Sequence, residues 1–241
     1  KPVLIMKGGL TKSGARAVAS HTGSLAGGQR IWETVFRQSG AVQVTTLEEM
    51  VDTLQAFLFL GIPQGRGVCV IGTGGGIGVS AADSFGRVGM DLPLLDSDTR
   101  QTLRQFIPAA GNIISNPVDT GIAFTDTQIL ERVFRTASSD AQVDMIVVSL
   151  HLDWFFDVAA GEHVVNIARY LGKEGRKHAS GKPLAVSWRC YRTDSGIEQA
   201  KRAVQEELIK AGIPVYEGLT KTALAISRVV QYHEYWRQRK S

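Results

Sequence analysis

From residue 68 onward the apolar positions fall into short uninterrupted runs separated by longer segments with helical spacing. "VCVIG" (68–72), "VDMIVVSLH" (143–151), "PLAVSW" (183–188) and "IPVYE" (213–217) each read as a strand buried on both faces, and "LPLL" (92–95) as a shorter one. The spacing predicts helices over 78–88, 98–107, 126–137, 160–172, 196–211 and 220–237, with an irregular stretch through "NIISNPVDTG" (112–121). About five buried strands alternating with helices predict a doubly wound parallel sheet covered on both faces, with its ligand crevice at the carboxyl ends of the strands.

Upstream of "GIPQGRG" (61–67) the pattern differs. A strand over 2–7 leads into a glycine- and hydroxyl-rich loop, 8–28, and then a helix with Ile31, Val35 and Phe36 on one face. "AVQV" (41–44) reads as a short strand. A second helix opens with Thr46 and Glu49 in capping-box spacing and carries Leu47, Met50, Val51, Leu54 and Leu58 as its apolar stripe. This stretch has too few strands for a complete domain, so the chain divides into 1–64, part of one domain, and 65–241, a whole one. "KPVLIMKGG" reads as a buried strand from the first residue with no initiating methionine, as expected of a processed or truncated chain.

Composition narrows the chemistry. The 27 Lys and Arg against 23 Asp and Glu leave a net charge of +4, too little for a nucleic-acid binder but suited to small phosphorylated ligands. Cys69 and Cys190 lie in apolar runs without metal-ligand spacing and read as buried free thiols; no metal site is expected. No apolar stretch reaches the roughly 18 residues of a membrane span and no signal peptide leads the chain, so a cytoplasmic location is expected.

Two segments carry candidate chemistry. In "VIGTGGGIGVSAAD" (70–83) a buried strand runs into five glycines within seven residues and then a helix start, where main-chain amides and the helix dipole favour an anion. Strand, glycine loop and helix also follow one another where tight packing is the only need, but phosphate or another anion is the favoured reading here. Gly72, Gly76 and Gly78 also fit the glycine spacing of short-chain dehydrogenases, with Asp96 as a ribose ligand, but no tyrosine here is followed four residues later by the lysine that such an NAD(P)-dependent oxidoreductase requires.

The second segment, "ASHTGSLAGG" (19–28), sets His21 among small and hydroxyl residues. A capping or solvated histidine is the ordinary reading of such a residue. Gly23, Gly27 and Gly28 permit close approach, however, while Ser13, Ser20, Thr22 and Ser24 offer donors, Lys12 and Arg16 offer positive charge, and no acidic residue precedes Glu33. A neutral imidazole so placed can accept and carry a phosphoryl group.

The string "KPVLIMKGGLTKSGARAVASHTGSLAGG", followed by "FRQSGAVQVTTLEEMVDTLQAF", resembles the phosphohistidine region of the ADP-forming acyl-CoA synthetases, relatives of succinyl-CoA synthetase. "GTGGGIGVSAADSFGRVGMDLP", "AAGNIISNPVDTG" and "AGIPVYEGLTKTALAISRVVQY" continue the likeness across nearly the whole chain. The resemblance implies a flavodoxin-like ligase-CoA domain over 65–241, preceded by the C-terminal part of a second flavodoxin-like domain. It implies that His21 is transiently phosphorylated, with Ser20, Thr22 and Gly23 around it. Gly74, Gly75, Gly76 and Gly78 would belong to a helix start aimed at the phosphate. Family members commonly read Asn-Ala-Gly-Gly-Pro-Gly at this turn, where this chain has Thr73 to Gly78, so main-chain amides are the expected contact.

"NPVD" (116–119) would be a substrate loop through Asn116 and Asp119, or a structural Asx and proline turn. His151 and Asp153, and Arg189 and Arg192, follow strands at the same edge, placed to touch a substrate and to steer phosphate or CoA respectively, although polar residues of no special role more often end strands there; His163, His178 and His233 read as surface residues. The family's partners would be a CoA-binding Rossmann domain and an ATP-grasp nucleotide-binding module. CoA and ATP or ADP with magnesium would be substrates reaching the chain through those domains, in an oligomer, and this chain would not turn over alone. A non-catalytic ligand-sensing module of the same fold is the second reading and the oxidoreductase the third.

Overall fold

The computed structural model describes residues 1–9, 11–22, 28–72, 76–158 and 161–239, with the backbone alone at 21, 22, 122 and 158. In chain order the elements are β1 (Leu4–Met6), α1 (Lys12–Thr22), α2 (Gln29–Ser39), β2 (Val42–Val44), α3 (Leu47–Phe59), β3 (Val68–Gly72), α4 (Ile77–Gly86), α5 (Ser97–Arg104), β4 (Ile113–Ile114) and β5 (Val118–Asp119). They continue with α6 (Thr127–Ser139), β6 (Met145–His151), α7 (Leu152–Val158), α8 (Gly161–Tyr170), a π-type turn (Leu171–Gly175) into the short α9 (Arg176–His178), β7 (Leu184–Arg189), α10 (Ser195–Lys210), β8 (Val215–Glu217) and α11 (Leu219–Gln238).

The uninterrupted apolar runs become the centre of a six-stranded sheet in the order β4-β5-β3-β6-β7-β8. Strands β5, β3, β6, β7 and β8 run parallel, and β4 pairs antiparallel with β5, so the α/β sheet is mixed at one edge. Alternate strand residues face opposite layers. Cys69, Ile71, Ile146 and Val148 pack with α5, α6, α8 and α10, whereas Val68, Val70, Met145 and Val147 pack with α4 and α11. The expected strand over 92–95 does not form: Pro93 lacks a ladder donor, and a lone parallel bridge joins Gly67 to Asp91. Val118 and Asp119 take the place beside β3 instead.

The first 60 residues form a smaller layer in which β1 pairs parallel with β2, Leu4 opposite Val42. The expected loop over 8–28 is in part a helix. The Thr11 hydroxyl accepts from the Gly14 N–H at 3.0 Å, capping α1, and Ala15, Ala17 and Ala19 favour its continuation. Thr46 and Glu49 do cap α3: Thr46 Oγ1 accepts from Glu49 N at 3.1 Å and Glu49 Oε2 from Thr45 N at 2.8 Å. The expected apolar stripe of α3 faces outward, however, with Leu47, Val51, Leu54 and Leu58 exposed and Met50 half-buried. Its small face is the buried one. Thr53 and Ala56 are fully buried, and Ala56 and Leu60 join the cluster of Val68, Ile77, Ala223 and Ile226 beneath α11. Ile31 and Val35 of α2 are likewise exposed, Phe36 is half-buried, and β1 is at most half-buried.

A clamp fastens α3 to α11. Arg228, on α11, donates to Glu49 Oε2 at 2.7 Å and to Thr53 Oγ1 at 3.1 Å. Burial pushes the Glu49 carboxyl up, but the Thr45 N–H and Arg228 outweigh it and hold its pKa below the usual range.

Candidate functional site

Register brings residues distant in sequence together at the carboxyl edge of the large sheet. Gly72 lies opposite Asp119 on one side and Ser149 on the other, Ser149 opposite Ser187, and His151 opposite Arg189. Helix α4 starts just beyond β3, with Gly76 as its N-cap and no side chain capping it.

The glycines here divide by role. A Cβ on Gly72 would stand 3.0 Å from Ser149 Cβ and 3.2 Å from Ile77 Cδ1, so this glycine serves the close packing of β3 against β6. A Cβ on Gly76 or Gly78 would meet nothing within 4 Å. The first turn of α4 is therefore uncapped and open to approach, with N–H groups lacking helix partners and no acidic residue beside them. Gly74 and Gly75, between β3 and α4, lie outside the described residues, as does Gly23.

His21 lies in the last turn of α1 rather than in a loop, and its side chain and that of Thr22 are outside the described part. The neighbouring Ser20 hydroxyl donates to the Ala17 carbonyl of the same helix at 2.7 Å. A helix end of this polarity presents carbonyls, which favour an imidazolium and oppose an anion.

Asn116 works inside the fold. Its amide nitrogen donates to Val68 O at 2.8 Å and Pro93 O at 2.9 Å, and its oxygen accepts from Val70 N at 3.1 Å. The carboxamide thus ties β3 to segment 92–95 where a strand pairing is missing. Asp119 is buried beside Gly72. Next to it, Thr120 donates its N–H to Gly72 O at 2.9 Å, yet its hydroxyl is buried with no partner. Nothing in the residue type singles Thr120 out; the following Gly121 is the sole local mark of a chain about to leave the sheet.

His151, Asp153 and Arg189 do meet. Asp153 Oδ1 and Oδ2 accept from the main-chain N–H groups of Tyr191 and Arg192 and from the Cys190 thiol, and Oδ2 lies 3.4 Å from His151 Nε2. Burial raises the Asp153 pKa, but the Tyr191 and Arg192 N–H donors lower it further, so the group is held below the usual carboxylate range. Arg189 Nη2 lies 3.2 Å from His151 Nδ1. Since guanidinium can only donate, that contact leaves the Nε2 proton for Asp153. Burial and then Arg189 push the His151 pKa down, against Asp153.

Of the other predicted residues, Cys69 is buried and its thiol is pushed up to about 12 by burial. Cys190 is half-buried. His178, expected at the surface, is 4% exposed, stacks on Tyr170 and lies between Glu131 and Glu174. Among the described residues no cluster of three metal-ligating side chains occurs, and no helix is long and apolar enough to cross a membrane.

Residues 1–57 match the family described as "Succinyl-CoA ligase like flavodoxin domain". The chain is 35% identical over 232 residues to the alpha subunit of acetate–CoA ligase (ADP-forming) II of Pyrococcus furiosus, a match covering 96% of this chain and 48% of that subunit. It is 36% identical over 233 residues to acetate–CoA ligase (ADP-forming) I of Archaeoglobus fulgidus, covering 96% of this chain and 30% of that protein. Among solved structures, the dinucleotide-forming acetyl-coenzyme A synthetase 1 of Ca. Korarchaeum cryptofilum, in complex with phosphate and ADP, superposes with a TM-score of 0.81 at 26% identity, over 100% of this chain and 49% of that one. The chain thus spans about half the length of the alpha subunits it matches.

Proposed function

From the premise that this chain is related along nearly its whole length to the ADP-forming acyl-CoA ligases, we propose that it is the phosphoryl-carrying part of such an enzyme, with His21 as the carrier. In the ATP-forming direction inorganic phosphate displaces CoA from an acyl-CoA, giving an acyl phosphate and free CoA. A nitrogen of the neutral His21 imidazole attacks the phosphorus, the bond to the acyl oxygen breaks, and the acid leaves as its carboxylate. The phosphoryl group then passes from the imidazole to ADP, forming ATP and restoring the free base; acid activation follows the same steps backwards.

The observation that carries this reading is the open, uncapped amino end of α4 behind Gly76 and Gly78. The carbonyl end of α1 opposes negative charge on His21, so a phosphoryl group there needs an amino end facing it. Helix α4 supplies such an end beyond the carboxyl edge of β3, where Gly76 and Gly78 leave room for main-chain contact. Asp119 and Thr120 flank the entry to that turn.

Nucleotide and CoA are substrates bound by other domains, an ATP-grasp module and a Rossmann domain. The exposed apolar residues Leu47, Val51, Leu54 and Leu58, which share one face of α3, together with Ile31 and Val35, support a covering partner in the assembled enzyme. The chain alone is therefore inactive. Mixing it with the separately produced nucleotide-binding and CoA-binding domains, ADP, phosphate and acetyl-CoA should yield ATP, and replacing His21 by alanine should abolish that yield. ATP formed equally well by the His21→Ala chain would overturn the proposal, and tight binding of NAD without phosphoryl transfer would favour an oxidoreductase.

A further inference from the structure

Between the small amino-terminal layer and the large sheet's helices lies a groove of about 490 Å³, walled by α2 and β2 on one side and by α4 and α11 on the other. Three arginines line it: Arg37 in the last turn of α2, Arg87 just past α4, and Arg228 in the middle of α11. Arg87 sits at the opposite end of α4 from the open amino end behind Gly76. Among the described residues no Asp or Glu lines the groove. Arg228 is spoken for, since it is 12% exposed and held by Glu49 at 2.7 Å. Arg37 is exposed and touches the Thr34 hydroxyl of its own helix at 3.4 Å, while Arg87 has a loose partner in the exposed Asp83 at 3.6 Å. A cleft lined by charge of one sign focuses its potential and draws in ions of the other.

The rest of the wall is aromatic and rigid. Tyr232 and Tyr235 come from one face of α11. The Tyr235 hydroxyl donates to the Gln38 carbonyl at 2.5 Å, and its ring lies so close to the end of α2 that a Cβ on Gly40 would collide with it. The Tyr232 ring meets Phe57 edge-on, with centroids 5.2 Å apart. Both rings are therefore fixed before any ligand arrives, which spares the cost of ordering them. Gln43 and Gln231 add two carboxamides, each with donors and an acceptor. A bare anion would leave the tyrosines and carboxamides unused, and an apolar ligand would bury guanidinium groups without a partner. A phosphate carried on a heteroaromatic ring uses all of them: guanidinium groups hold phosphate oxygens, tyrosine faces stack on a base, and carboxamides pair with its edge.

We propose that this groove binds a nucleoside phosphate, with Arg37 and Arg87 on the phosphate and Tyr232 against the base. The ligand is a free nucleotide or the phosphoadenosine end of CoA, and the site is separate from those that the ligase reaction places in other domains. Its walls come from both parts of the chain, so an occupant links the amino-terminal layer to α4 and α11.

The test is calorimetric titration of the 241-residue chain, without magnesium and at constant ionic strength, with ADP, CoA, adenosine and inorganic phosphate in turn. ADP or CoA should bind saturably at one site, and the tighter of the two identifies the source of the nucleoside phosphate. Adenosine and inorganic phosphate should each bind at least about tenfold more weakly, because each satisfies one half of the wall. Arg37→Gln and Arg87→Gln, changes at exposed side chains that the fold tolerates, should each weaken binding about tenfold. Tyr232→Leu, which keeps apolar packing on Phe57, should weaken it severalfold, and His21→Ala should leave it unchanged. Absence of saturable binding by both ADP and CoA would overturn the proposal. So would adenosine or phosphate binding as tightly as the nucleotide, binding that survives both arginine changes intact, or binding lost with His21. The titration does not depend on whether the assembled enzyme forms ATP, so this proposal and the phosphoryl-carrier reading fail separately.

Discussion

Gly72 and Gly78, on either side of the β3–α4 turn, give the sharpest prediction, because alanine should act on them in opposite directions. In Gly72→Ala the new methyl meets Ser149 Cβ at 3.0 Å, the Ser149 carbonyl oxygen at 3.1 Å and Ile77 Cδ1 at 3.2 Å. All three belong to the fully packed interface of β3, β6 and α4, where overpacking costs about 1–3 kcal/mol. In Gly78→Ala the methyl meets nothing within 4 Å and gains helix propensity in the first turn of α4, worth up to about 1 kcal/mol. Equilibrium urea unfolding of the chain should show Gly72→Ala destabilised by that amount and Gly78→Ala unchanged or more stable. In the complete enzyme, however, the Gly78→Ala methyl intrudes where the phosphoryl group approaches the α4 amides, and ATP formation should fall about tenfold or more, equivalent to about 1.4 kcal/mol of lost transition-state stabilisation. Full activity in Gly78→Ala would refute the role of the α4 amino end, and a Gly72→Ala chain as stable as the parent would refute the packing assignment of Gly72.

Other parts of the structure give independent checks. Arg228→Met leaves the quarter-exposed Glu49 carboxylate without its cation and should cost about 1–3 kcal/mol in urea unfolding; because the Glu49 pKa is lowered by folding, its stabilisation is present above about pH 4.5, is lost as acid titrates the folded group, and this part of the acid slope should shrink in the variant. A parent-like slope would contradict the clamp. Asn116→Ala removes three main-chain hydrogen bonds of β3 and segment 92–95 and should cost about 3 kcal/mol; a loss below about 1 kcal/mol would show that water replaces them readily. In Asp153→Asn the carboxylate that supports protonation of His151 is gone, so the His151 titration followed by NMR should move to still lower pH, and movement upward would contradict the pairing.

Much of this architecture is written in the pattern of apolar residues, for identifiable reasons. Strands β3, β6, β7 and β8 are buried on both faces, so each is a run of apolar residues with no competing helical spacing. Strand β5 is two residues long and follows Asn116, whose carboxamide does the work of missing ladder bonds; a side chain acting as backbone leaves no periodic trace. Helix α1 was hidden by its glycine and hydroxyl content, although Thr11 three residues before Gly14 carries the cap. On α3 the large residues mislead. Close helix packing against α11 uses Thr53 and Ala56, whose small side chains let the backbones approach, while Leu47, Val51, Leu54 and Leu58 are left outside.

The candidate chemistry divides the same way. The glycine-rich turn is legible as a helix start, but sequence spacing cannot separate Gly72, which packs, from Gly76 and Gly78, which open onto space. The meeting of His151 with Asp153 and Arg189 depends on the register of β6 with β7, a long-range fact that local spacing does not encode.

The most direct test of the phosphoryl-carrier reading is the chemistry of a label on the chain. Incubated with γ-labelled ATP and the nucleotide-binding domain, the chain should acquire label that is stable to base, labile to acid, and absent from the His21→Ala variant. Label that persists in that variant, or that survives acid, would contradict the assignment of His21 as the carrier.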